Sequence, residues 1–305
     1  MISALSGFAL IGVLVLVGWM MRRWGGLPDN AHAVLGRVTF LGLAPCLLFT
    51  GVADADLTLL FSRPLLVSTA AACLCFAVFA LCCRGRDAAT RILGALAAGY
   101  TNANNIGLPV ATYVLGDATL VVPIVMLQLL VMTPLALILL EVATAERVSW
   151  RSALAGPVRN PLIIAVLLGS VVSATGLRLP AVLLDPVTVL GGAAVPAVLL
   201  AFGMSLSGRR VLAPGPDRSL TVLATALKLA GMPLIAFLLG LALGLPRDSL
   251  YAVTVLATLP TAQNVFLHAQ NFRAGLVLVR DTTFLTTVGA LPAMLLIAAL
   301  FTLGS

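Results

Sequence analysis

The chain has 305 residues, 61% of them hydrophobic and 10% charged, with a mean hydropathy of +1.12. A soluble domain carries roughly 25% charge, so the composition excludes one or two large soluble cores and makes the apolar span of roughly 20 residues the unit of description. The net charge of +7 is almost all arginine, with one lysine, and in a membrane protein such an excess reports topology rather than nucleic-acid binding.

Ten spans can be drawn in chain order: 2–21, 33–53, 64–83, 88–115, 120–142, 160–174, 181–206, 219–243, 250–270 and 275–302. The first has no basic region before it and no small-residue cleavage site, so it reads as a retained helix rather than a signal peptide. Cys46, Cys73, Cys75, Cys82 and Cys83 lie in or at the ends of spans two and three. None has zinc-ligand spacing with a histidine, so they read as buried small hydrophobes, with no metal site. The fourth span is interrupted at Ala103-Asn104-Asn105-Ile106-Gly107-Leu108-Pro109, and the ninth at Ala262-Gln263-Asn264-Val265-Phe266-Leu267-His268. The two runs share Ala, an amide, Asn, a β-branched residue and Leu in register. In lipid every backbone N–H and C=O must be satisfied, so such a break survives only inside protein or beside a watery cavity.

The similarity extends along both halves. Gly116 aligns with Gly275, and Pro134 and Pro292 follow in the next spans. Pro45 and Pro196 sit in the second span of each half, and Gly26-Leu27-Pro28 resembles Gly176-Leu177 before Pro180. Five spans is an odd number, so two copies insert in opposite senses. The expected fold is therefore an all-α integral membrane protein of ten transmembrane helices. It is built as two inverted five-helix repeats, residues 1–150 and 151–305, with crossed and broken fourth and ninth helices. Assigned to alternate loops, the arginines fall almost wholly on one side; only Arg63, Arg178 and Arg247 fall on the other. By the positive-inside rule both termini lie outside the cytoplasm.

Each break starts a second half-helix, whose first N–H groups lack intrahelical partners and carry partial positive charge. Two such ends facing one point suit an anion. Asn102, Asn104, Asn105, Gln263 and Asn264 add uncharged donors and acceptors there, which can hold a carboxylate without a fixed charge in the membrane. The plainer reading is that these amides cap kinked helices or tie helices together; their matched positions favour a substrate site. Tyr100, Thr101 and Thr261 could line it. Pro109 and Pro260 remove helix hydrogen bonds at the crossing, and Gly99 and Gly107 allow close approach. Lys228 lies well inside the eighth span and either snorkels to the surface or supplies a countercharge near the anion path. Asp281 falls near the end of the last span, close to Arg280 and solvent. His268 reads as a packing residue rather than a proton relay. No two carboxylates can be placed together at mid-membrane, which argues against an antiporter built on a buried acid pair. There is no HExxH, GxSxG or P-loop run, so neither an enzyme nor a cofactor is expected.

At these residues the sequence resembles the auxin efflux carrier family of plants and bacteria. The likeness rests on Asn102 to Pro109, on Arg159-Asn160-Pro161, on Lys228 with Pro233, and on Leu259 to Phe266. It covers essentially the whole chain. The resemblance implies a fold similar to bile-acid symporters and sodium/proton antiporters. It implies organic-anion substrates as well: auxin in plants, and dicarboxylates such as malonate or malate in bacterial members. It carries the amide and proline roles onto Asn102, Asn105, Pro109, Pro260, Gln263 and Asn264. The long hydrophilic central loop of the plant proteins is missing, and the arginine-rich usage looks bacterial. The expected partners are thus a small organic anion and the bilayer of a cell (inner) membrane. Homodimerisation is compatible with the architecture, and no stretch of the sequence decides it. The competing classes are an anion channel, a proton- or sodium-coupled carboxylate symporter, and a membrane scaffold or sensor.

Overall fold

The computed structural model describes residues 2–53, 62–107, 110–111, 114–117, 120–144, 161–207, 212 and 215–303. The described elements are helical, apart from one isolated β-bridge. In chain order they are α1 (Ile2–Trp24), α2 (Ala31–Ala53), α3 (Arg63–Cys82), α4 (Ala88–Gly99), α5 (Val122–Thr144), α6 (Pro161–Thr175), α7 (Ala181–Leu206), α8 (Arg218–Ala242), α9 (Arg247–Ala257), α10 (Gln263–Phe272) and α11 (Leu276–Leu303). Among the described residues, six of these (α2, α3, α5, α7, α8 and α11) are long and apolar enough to cross a membrane.

Local chemistry explains where helices start and where they deform. Ser62 accepts a hydrogen bond from the Leu65 N–H at the head of α3, with Pro64 in the first turn where its missing N–H costs nothing. Asp87 caps α4 by accepting from the Thr90 N–H at 2.8 Å. That bond holds the Asp87 carboxyl below the usual carboxylate range. Three helices carry a π-turn: Thr39–Leu43 in α2, Gln128–Met132 in α5 and Leu227–Gly231 in α8. Each lies just before a proline, respectively Pro45, Pro134 and Pro233. Proline removes one N–H and crowds the carbonyl one turn back, and a wider turn relieves both strains.

The helices fall into two compact units. The first comprises residues 1–59, 126–138 and 147–210, and the second residues 60–125, 139–146 and 211–305. Each unit draws on both halves of the sequence. In the first, α1 packs on α7, and α6 and α7 both pack on α2. Glycine sets these contacts. A Cβ at Gly203 would stand 2.0 Å from the Val15 carbonyl oxygen, and one at Gly18 would stand 2.2 Å from that of Leu200. Backbones this close suit helix pairing in lipid, where no hydrophobic force drives helices together and close packing must do so. Large apolar side chains point outward instead, as at Val182, Leu183 and Val189.

In the second unit α3 packs on α4, α8 and α9, and α11 packs on α4, α8, α9 and α10. Phe79, Cys83, Ala95, Ala98, Ala224 and Leu278 form one buried cluster. Cys75 and Cys83 are buried, but Cys73 and Cys82 are exposed on α3 and Cys46 is half-buried. The expectation of five buried cysteines is therefore corrected: helical periodicity turns Cys73 and Cys82 to the outer face. Asp281 also departs from expectation. It is 1% exposed rather than near solvent, receives Arg280 Nε at 2.7 Å, and accepts from the Leu212 N–H at 3.0 Å. Leu212 has a left-handed φ of 54°, a conformation costly for a branched side chain, and the buried carboxylate pins it.

Two outcomes follow from this packing. Gly203→Ala should lower the melting temperature in detergent through overpacking of about 1–3 kcal/mol. Gly192→Ala on the same helix, with nothing within 4 Å of the added Cβ, should change little. Asp281→Ala should cost about 3–5 kcal/mol by stranding Arg280, while a double replacement of Arg280 and Asp281 by leucine should cost less than the single change; chemical-denaturation curves of the two variants test the order.

Candidate functional site

The second unit contains the two broken segments. The α4 helix ends at Gly99, Tyr100 turns extended, and the chain re-enters a helical turn at Ala103–Gly107. The α9 helix ends at Ala257, and α10 restarts at Gln263 behind Ala262, whose ψ of 136° is extended. Between them the two chains pair as a minimal antiparallel bridge, Thr101 opposite Thr261. The Asn102 N–H donates to Pro260 O at 2.8 Å, and the Ala262 N–H donates to Tyr100 O at 2.9 Å. The break in each helix is thus satisfied by the break in the other. The facing pair is one position out of the sequence register, in which Ala103 aligns with Ala262.

The last four carbonyls of α9 and two of those at the end of α4 also have donors. At α4 the Tyr100 N–H takes Leu96 O, and the Thr261 hydroxyl donates to Ala97 O at 2.6 Å. At α9 the Thr258 hydroxyl takes Thr254 O, its N–H takes Val255 O, and the Leu259 N–H takes Leu256 O. The last carbonyl, Ala257 O, accepts from Lys228 Nζ at 2.7 Å. Lys228 is fully buried, with the Met232 sulfur 3.3 Å from its ammonium. It therefore does not snorkel. The π-turn of α8 carries it, and the bond it makes is to the negative end of a helix dipole. Thr286 on α11 closes the arrangement: its Oγ1 accepts from the Thr261 N–H at 3.1 Å and donates to Thr282 O at 2.8 Å.

Tyr100, Thr101, Asn102, Pro260, Thr261 and Gln263 are brought together and are all buried. Asn104 and Asn264 are half-buried in the first turns beyond the crossing. Asn105 lies in the Ala103–Gly107 turn, its side chain outside the described set; Pro109, Arg159 and Asn160 lie wholly outside the described residues. His268 is buried on α10. Gly99 meets α3, where a Cβ would stand 2.8 Å from Ala72 O, and Gly107 lies against Val121 and Leu259.

One side chain stands apart energetically. Gln263 is 3% exposed, and neither its Nε2 nor its Oε1 has a hydrogen-bond partner. Leaving a buried donor and acceptor unmade costs about 1–3 kcal/mol each. The Thr282 hydroxyl is likewise buried and without a partner. Sequence reading missed Thr282, Thr286 and the Ala257 carbonyl. The signal for the first two was present, since hydroxyls at 282 and 286, one helical turn apart, mark a polar stripe in an apolar span.

Thr286→Val should leave the Thr261 N–H unpaired and lower stability by about 1–3 kcal/mol. Thr286→Ser, which keeps the oxygen, should recover most of that loss when both variants are melted side by side.

No curated protein matches the sequence. A family model described as membrane transport protein matches residues 7–298, nearly the whole chain. That span includes both breaks and the lysine that caps α9. The chain accordingly belongs to the membrane transport protein family, the family of the auxin efflux carriers, and is a multi-pass membrane transporter rather than an enzyme.

Proposed function

We propose that this protein is an alternating-access carrier for a small organic anion, a mono- or dicarboxylate such as malonate, malate or an auxin-like acid. The observation that carries the reading is Gln263, a buried amide with both polar atoms unpartnered at the head of a helix inside a transporter. A functional site is where such a debt is tolerated. The first N–H groups of α10 favour negative charge, Asn102, Asn104 and Asn264 bring neutral amides to the crossing, and the sequence repeat assigns Asn105 to the same site. Tyr100, Thr261 and Pro260 shape it, the sequence motif assigns Pro109 to it, and Lys228 supplies the countercharge.

In this reading the ten spans form two inverted repeats, 1–150 and 151–305, in a bacterial inner membrane with both termini outside. Helical segments at each of the ten drawn spans support it, as does the one-sided arginine distribution. A negative-inside potential favours efflux of an anion by about 2.3 kcal/mol per charge per 100 mV, so outward uniport suffices as a mechanism. A homodimer is compatible with this scheme and is not needed by it.

Reconstituted protein should carry labelled malonate, malate or indole-acetate with saturable kinetics and counterflow, faster outward at negative-inside potential. Gln263→Ala and Asn102→Ala should each cut flux at least about tenfold, equivalent to about 1.4 kcal/mol, without loss of folded protein. Large single-channel currents would assign the protein to the channels. Flux indifferent to potential, with a strict sodium requirement, would assign it to the coupled symporters.

A further inference from the structure

Lys228 is the one group near the crossing that the carboxylate reading uses without explaining. It sits on α8, outside both broken segments, and its side chain is completely buried. Its ammonium meets Ala257 O at 2.7 Å and the Met232 sulfur at 3.3 Å. Among the described residues no carboxylate pairs with it. Asp281 is committed to Arg280 and the Leu212 N–H, Asp217 to Arg86, and Asp87 to the Thr90 N–H. A fully buried lysine amine without an anionic partner is costly in its charged form, so its place calls for a reason.

The place is the C-terminal end of α9, immediately before the break. In secondary transporters with discontinuous helices, the unwound carbonyls and C-terminal ends of half-helices coordinate the coupling cation. Here the last four carbonyls of α9 all accept hydrogen bonds from protein groups, and the final one accepts from Lys228. At the corresponding end of α4 the donor is a neutral hydroxyl, that of Thr261. A lysine amine is therefore found at one of the two ends and not at the other.

We infer that Lys228 is a built-in cation. Its ammonium occupies, on the α9 carbonyl end, the place that a coupling metal ion would take. Transport by this chain then needs no sodium, and the fixed charge biases the crossing toward anions. The inference rests on the crossing being the transport site, and its test is chosen to separate the two.

The first measurement is melting of the purified full chain in sodium, potassium and N-methylglucamine chlorides at equal ionic strength, which requires no substrate. The wild type should melt at the same temperature in all three, because its cation is covalent. Lys228→Ala should melt lower, and sodium or ethylammonium should raise it by about 2 °C or more over N-methylglucamine as the freed carbonyl end takes up a cation. A sodium-specific rise in the wild type overturns the inference, as does a Lys228→Ala protein as stable as wild type and indifferent to every cation. Should Lys228→Ala not fold, Lys228→Met takes its place, with the same expectation and the same contrary results. The second measurement is carboxylate flux in proteoliposomes. Replacing sodium by N-methylglucamine should change wild-type flux less than about twofold, whereas Lys228→Met should lower it about tenfold or more. Flux that collapses without sodium overturns the built-in cation and leaves the carboxylate carrier standing. Absence of any carboxylate flux, with melting indifferent to cations in the wild type and cation-responsive in Lys228→Ala, overturns the carrier reading and leaves the lysine assignment standing.

Discussion

Inside a bilayer no water is available to pay off an open peptide group, so a helix can be interrupted only where something else takes over its hydrogen bonds. Here that something is largely a second interrupted helix. Two bonds, from the Asn102 N–H to Pro260 O and from the Ala262 N–H to Tyr100 O, make each broken segment the partner of the other. Neither break is self-sufficient. The surrounding contacts extend the same logic: Thr261 donates to the end of α4, Lys228 to the end of α9, and Thr286 receives the remaining Thr261 N–H. A crossing of this kind fixes its own geometry, because any sliding of one segment strands backbone groups on both.

The same constraint decides which parts of the fold could be read from the sequence. The breaks were legible because amides and prolines are out of place in a span, and their repetition in the two halves marked them as a pair. The segment limits were legible for a related reason, since arginine, glycine and proline punctuate an otherwise apolar chain. Partnerships were not. Nothing local in Thr286 says that it serves Thr261, and nothing in Lys228 distinguishes a side chain reaching outward from one turned in toward Ala257. The outward alternative fails because the wide π-turn before Pro233 and the facing end of α9 give the ammonium a buried acceptor. Asp281 misled in the same way: its position near a helix end suggested solvent, but Arg280 and the Leu212 N–H enclose it. The cysteines misled by composition, since a residue type that is buried on average need not be buried at Cys73 or Cys82, which lie on the outer face of α3.

Glycine and proline divide the remaining work. In the first unit glycine at 18 and 203 lets α1 and α7 touch backbone to backbone, which supplies the close packing that lipid does not. Proline acts differently. Pro45, Pro134 and Pro233 each follow a π-turn, so the helix deforms by widening instead of breaking. In α8 that widening has a chemical use. It places Lys228 in the deformed turn, and the Cys75 thiol reaches Leu227 O there at 3.9 Å. The proline that follows this turn on α8 is thereby tied to where the single lysine of the chain points.

The crossing is asymmetric in charge although nearly symmetric in backbone. One helix end receives a hydroxyl and the other a lysine amine, while the amide of Gln263, just beyond the second break, remains without a partner. A backbone bonded across the crossing together with an unsatisfied side chain is an informative combination. Had the backbone been left open, the segment would be under strain and free to rearrange, and an unpaired amide would carry no special meaning. With the last four carbonyls of α9 engaged and the two broken segments bonded to each other, the polar capacity left over lies in side chains such as that of Gln263. A carrier needs that separation: a frame that does not change its bonding when cargo arrives, and a few groups whose bonding does. In the proposed carrier, cargo that meets the Gln263 amide would offset a cost the protein already bears, so part of its binding free energy would be set before it arrives.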